Sequence, residues 1–125
     1  MAHCILVADE DIDTRIILRT LLERHGYAIV EAANAQQAMS CVTDGVGLVI
    51  MNHPMMATPN ITLARWLRAQ PETRDVPIIN LTSRAVPNYA EEAARQGITI
   101  SMPKPVDVQG LLELVRNFTA TVSTH

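Results

Sequence analysis

Residues able to bind a cation and a phosphoryl group recur in this sequence directly after short apolar runs. Asp9, Glu10 and Asp11 follow the run that begins at Cys4, and Asn52 follows LVIM. Thr82 and Ser83 follow PIINL, and Lys104 stands between Pro103 and Pro105 after ITISM. Carboxylate oxygens are the ligands Mg²⁺ prefers, while a hydroxyl and an ammonium stabilise phosphoryl oxygens. Any one of these polar ends is explained by contact with solvent. Their order, acids, then Asn, then Thr, then Lys-Pro, is the informative feature.

Strands and helices must alternate to bring them together. Short apolar runs predict strands over 4–8, 27–31, 47–51, 76–81 and 98–102. Between them lie segments of helical period. The first covers 13–25, with Ile17, Leu18, Leu21 and Leu22 on one face and Gly26 as its stop. Asn34 caps a second helix to about residue 44, and Thr58 with Pro59 opens a third that runs through residue 69. Pro87 opens a fourth, faced by Ala90, Ala93 and Ala94 and ended by Gly97. Asp107 caps the last, with Val108, Leu111, Leu112 and Val115 as its core stripe. This alternation predicts a parallel sheet covered by helices on both faces. The strands' carboxyl ends then meet at a crevice where strand order reverses, and with an order of 2-1-3-4-5 the acids and Asn52 are neighbours.

The chain of 125 residues is the length of one domain, and 48% hydrophobic residues supply a core. Only 3% are aromatic, so aliphatic side chains and six Met must fill it. A net charge of −3 gives no nucleic-acid footprint, and Arg65, Arg68 and Arg74 read as a solvated helix face. Cys4 and Cys41 read as buried free thiols of a reducing compartment, and the four His stand at no metal-ligand spacing. No signal-peptide core or membrane-length apolar run is present, so a cytoplasmic protein is expected.

Over nearly its whole length the sequence resembles the receiver domain of two-component response regulators. The resemblance is carried by ILVADEDIDTR, LVIMNHPMM, PIINLTS and MPKPVDVQGLLELV. It implies a flavodoxin-like (βα)5 three-layer sandwich over residues 1–125, an acidic pair at Asp9 and Glu10 that ligates Mg²⁺ with help from the Pro54 carbonyl, and switch positions at Thr82, Ser101 and Lys104. It also implies a cis Lys104–Pro105 bond. The partner would be a signalling protein: a histidine kinase, a phosphotransfer domain or an output domain. Leu114 and Phe118 on the last helix are candidates for a homodimer or partner contact, or else a satellite of the core.

The departures decide the functional expectation. In receivers the third strand ends in the aspartate that accepts phosphate, and here that position is Asn52. A carboxylate oxygen is a nucleophile able to form an acyl phosphate, which a carboxamide is not. Asp9, Glu10 and Lys104 carry one net negative charge between them, where an aspartate at 52 would make two. Cation affinity falls accordingly, while repulsion of about 4 kcal/mol per carboxylate pair at about 4 Å is relieved. Ser101 replaces the usual aromatic three residues before the lysine, Pro54 lacks a backbone N–H beside the anion pocket, and Met55, Met56 and Ala57 replace the usual Met-Pro-Gly.

We therefore expect a pseudo-receiver: not an enzyme, needing no cofactor, binding Mg²⁺ weakly, and acting by protein contact without aspartyl phosphorylation. One alternative is a phosphorylatable receiver carrying an engineered Asp→Asn change. Another is a haloacid dehalogenase-type phosphatase, resembled by ADEDIDT, with Asp9 as nucleophile and Asp11 as general acid; only Asp107 and Glu113 follow the lysine as its later acids. In a third, His53, Thr58 or Thr82 takes the phosphoryl group, although His53 reads as a solvent-facing loop residue.

Overall fold

The computed structural model describes residues 4–82 and 89–123. In chain order the elements are β1 (Cys4–Ala8), α1 (Ile12–Arg24), β2 (Ala28–Ala32), α2 (Ala35–Ser40), β3 (Val46–Met51), β4 (Met56–Thr58), β5 (Ile61–Thr62), α3 (Leu63–Ala69), β6 (Ile78–Thr82), α4 (Tyr89–Arg95), β7 (Ile100–Pro103) and α5 (Val108–Ser123). Five strands pair in parallel in the order β2-β1-β3-β6-β7, which is the expected 2-1-3-4-5 when only the main sheet is numbered. The architecture is the expected flavodoxin-like one.

Alternation along the central strands sorts the core into two halves. Leu6, Ala8, Val49, Met51 and Ile78 face one way and pack with Ala35 and Ala38 of α2, Leu63, Ala64 and Leu67 of α3, and Ala93 of α4. Ile5, Val7, Leu48, Ile50, Ile79 and Leu81 face the other way, onto Leu18 and Leu22 of α1 and Leu111, Leu112 and Val115 of α5. Both faces are covered, so these strands read as unbroken apolar runs.

Local chemistry fixes the helix ends. Asp11 caps α1 by accepting from the Asp13 N–H, and Gly26 follows with φ of 89°, a conformation only glycine adopts freely. Asn34 caps α2 as expected, its Oδ1 accepting from Gln37 N at 2.8 Å. That helix ends at Ser40, well before residue 44. Ser40 Oγ donates to the Gln37 carbonyl, and Cys41 N bonds back only as far as Ala38, tightening the last turn until it stops.

The third helix begins later than predicted. Thr58 Oγ1 accepts from Asn60 N, two residues on, which closes a turn around Pro59. Met56–Thr58 and Ile61–Thr62 then pair as an antiparallel ribbon, and Thr62 makes the cap bond, three residues on, to Arg65 N at 3.2 Å. Other expected core residues also differ. Ile17 is 50% and Val108 39% exposed, and on α4 Ala94 is exposed while Ala93 is buried. The expected helix start at Pro87, and Ser83, lie outside the described residues, as Ala90 does with respect to its side chain.

Arg68 also departs from its expected place on a solvated face. Nε and Nη2 donate to the Gly97 carbonyl at 3.0 and 2.8 Å, and Nη1 donates to the carbonyls of Thr73, Arg74 and Val76. One guanidinium thus ties α3 to the segments before β6 and after α4. Burial lowers its pKa, an effect that the charge of Asp75 opposes.

Candidate functional site

The carboxyl end of β1 delivers Asp9 into the protein interior, with 3% of its side chain exposed. Its Oδ1 accepts from Asp11 N and its Oδ2 from Lys104 Nζ, each at 2.9 Å. The lysine is placed by its own backbone: Lys104 N donates to the Thr82 carbonyl at 2.7 Å, setting it against the end of β6. The Lys104–Pro105 bond is cis, as is His53–Pro54. Residues distant in sequence therefore meet as their order implied.

Asn52 is half-buried at the end of β3, and its N–H donates to the Ala8 carbonyl at 3.1 Å, beside Asp9. Thr82, 5% exposed, ends β6. Glu10 departs from its acidic partner. It is exposed and lines a hollow of about 320 Å³ with Asn34, Gln36, Pro54, Met55 and Met56.

This donor set fits Mg²⁺ poorly. The one buried carboxylate is already paired with an ammonium, Glu10 is exposed to solvent, and Asn52 is neutral. Among the described residues no group of three or more His, Cys, Asp or Glu is placed to hold a metal.

Asp11 is committed to its helix. Its carboxylate accepts from Thr14 Oγ1 at 2.7 Å and Asp13 N at 3.1 Å. The Thr14 bond foremost holds its pKa below the usual carboxylate value; desolvation opposes it, and the Asp13 bond and the Lys104 charge assist. A carboxylate held ionised in this way is a poor general acid.

Three residues that sequence reasoning passed over complete the site. Arg15 Nη1 donates to the Asp9 carbonyl at 2.6 Å, and its Nε meets Glu31 of β2 at 3.2 Å, so α1 and β2 together hold the turn that carries the acids. Asn80, fully buried, accepts from His53 N at 2.8 Å and donates from Nδ2 to Ser101 Oγ at 3.4 Å. Ser101 and Asn80 are register partners on β7 and β6. The signal for Asn80 was available: a carboxamide inside the apolar run PIINL. Nothing in the sequence marked Arg15 or Glu31. His53 is 5% exposed, not solvent-facing, because its backbone, two residues past the end of β3, is drawn onto Asn80.

Leu114 and Phe118 are half-buried against the α1/α5 half of the core. The most exposed large apolar side chains among the described residues are on α1, where Ile12, Ile16 and Ile17 are 58%, 53% and 50% exposed. No described helix is long and apolar enough to cross a membrane.

A five-stranded parallel sheet with an acid, an amide, a hydroxyl and a lysine gathered at its carboxyl edge defines a class of small α/β signalling modules. Residues 5–116 match the response regulator receiver domain, and the chain belongs to that family. It is 33% identical over 115 residues to an uncharacterized 14.6 kDa protein of Leptolyngbya boryana, covering 91% of this chain and 88% of that one. It is 30% identical over 109 residues to the phosphate regulon transcriptional regulatory protein PhoB of Pseudomonas aeruginosa, covering 86% of this chain and 48% of that one. The chain thus spans about half the length of PhoB. Among solved structures, a two-component response regulator from Clostridium difficile superposes with a TM-score of 0.85 at 21% identity, covering 98% of this chain and 99% of that one. The chemotaxis response regulator CheY4 of Vibrio cholerae does so with a TM-score of 0.81 at 23% identity, covering 94% and 99%. These two likenesses concern the fold.

Proposed function

We propose that this receiver domain is a pseudo-receiver, which works in two-component signalling through protein contacts and undergoes no aspartyl phosphorylation. The observation that carries the reading is Asn52 at the end of β3, beside an Asp9 already neutralised by Lys104. A neutral carboxamide supplies no nucleophilic oxygen, and the cation that would assist transfer meets a poor donor set. Mg²⁺ is not required and binds weakly. The domain performs no catalysis, since the commitment of Asp11 to capping α1 leaves the phosphatase reading without its general acid.

The remaining switch positions agree with a static site. Ser101 takes a hydrogen bond from Asn80, which also holds the backbone of His53, so the end of β3 is tied to β6 and β7 by polar bonds. The exposed isoleucines of α1 support a role in binding a signalling partner.

Intact-mass measurement after treatment with a small acyl-phosphate donor and Mg²⁺ tests the reading. The unaltered chain is expected to gain no phosphate. A stoichiometric adduct would overturn the proposal. A parallel NMR titration with Mg²⁺ and beryllofluoride should be silent for the unaltered chain and produce shifts around Thr82 for Asn52→Asp.

A further inference from the structure

Away from the carboxyl edge of the sheet, two adjoining hollows run between α3 and α4, of about 640 Å³ and 330 Å³. They share Arg65, Ala69 and Gln96, so they form one groove. Its apolar end holds Ile61, 42% exposed, and the half-buried Trp66. Its polar end holds Arg65, Arg68 and Arg95. We propose that this groove is a docking site for an acidic segment of a partner protein that carries both carboxylates and apolar side chains.

Charge complementarity argues for that occupant. The chain as a whole carries a net charge of −3, yet among the described residues no acidic side chain lines either hollow. Two carboxylates lie near its arginines, Asp75, whose charge reaches Arg68, and Glu92, bonded to Arg95 at 3.0 Å, yet 69% of the Arg95 side chain remains exposed. Arg65 is exposed as well. Arg65 beside Trp66 in one hollow and Arg95 in the adjoining one suit carboxylates bound along a segment that also carries apolar side chains.

The floor is prebuilt. Arg68 gives its donors to backbone carbonyls and so contributes charge and rigidity, not direct contact. A Cβ at Gly97 would come within 2.8 Å of Arg68 Cγ, so the backbone there lies directly against the arginine stem. Thr62 Oγ1 donates to Gln96 Oε1 at 3.2 Å, fastening the start of α3 to the end of α4. The groove's width is set before anything binds, which lowers the entropic cost of association. A nucleic-acid strand is the poorer match, because it needs a longer track of cations and more than one stacking ring.

Trp66 is the only tryptophan, so its emission reports on the groove. The probes are a short peptide alternating glutamate with leucine, its lysine counterpart and a single-stranded oligonucleotide. The glutamate peptide is expected to change Trp66 emission saturably and to shift backbone NMR signals of α3 and α4. Affinity should fall roughly tenfold or more in Arg65→Glu/Arg95→Glu, and further as salt is raised. Both arginines are exposed, and circular dichroism checks that the variant folds; should it not, the NMR map on the native chain still decides. Absence of both the emission change and the shifts would overturn the proposal. So would equal binding by the folded variant or the lysine peptide, or displacement of the peptide by the oligonucleotide.

Discussion

Lys104→Met is expected to cost the fold about 3 kcal/mol. Nζ lies 2.9 Å from Asp9 Oδ2, and 18% and 3% of the two side chains are exposed. Unit charges that close attract by about 6 kcal/mol at an effective dielectric near 20, most of which desolvation offsets. Removing the lysine alone leaves a carboxylate in a site closed to water, and one-sided losses of this kind cost about 3–5 kcal/mol. Lysine's residual exposure places the value at the low end.

Asp9→Asn is milder, about 1 kcal/mol, because the freed ammonium can swing toward solvent and a carboxamide oxygen can still accept from Asp11 N. The double variant should cost no more than about 2.5 kcal/mol, a coupling of about 1.5 kcal/mol. Urea unfolding of the four proteins at neutral pH measures it. Costs that add within about 0.5 kcal/mol would refute the claim that these two charges neutralise each other. The Lys104→Met protein should also bind Mg²⁺ more tightly than the unaltered chain, by NMR titration.

Asn80→Ala should destabilise by about 2–3 kcal/mol in chemical denaturation, since it strands the buried His53 N–H and leaves a small cavity. Arg68→Ala should cost about 2–3 kcal/mol by freeing the carbonyls of Gly97, Thr73 and Val76, and Arg68→Lys should recover only part of it. The Asp11 carboxyl should titrate below 3.8 by carbon-detected NMR. Because its pKa is lower in the folded state, its capping contribution is complete above that value and is lost as pH falls through the folded pKa. Cys4, whose pKa is raised by burial and by the nearby Cys41, should alkylate more slowly than a free thiol at mildly alkaline pH, read by mass spectrometry.

The strands were legible because each central one is an apolar run with a polar residue at its carboxyl end, and a parallel sheet leaves few other ways to bury such runs. Asp9, Thr82 and Lys104 were legible for the same reason. Helix starts were less so. Thr58 and Thr62 both fit the capping pattern, and the difference lies in whether the hydroxyl reaches two residues on or three. Arg68 looked like one member of a surface row because its partners are backbone carbonyls, which carry no side-chain signature. The exposure of Glu10 and the burial of His53 depend on how the loops after β1 and β3 turn, and that is set by contacts remote in sequence.

The sheet also works as a partition. Side chains above and below it share a backbone but few neighbours, so volume lost beneath α1 and α5 cannot be refilled from beneath α3 and α4. Substitutions on opposite sides should then combine additively. The isoleucines of α1 lie on one side and the arginine groove on the other, which leaves each surface free to drift toward a new partner without disturbing its counterpart.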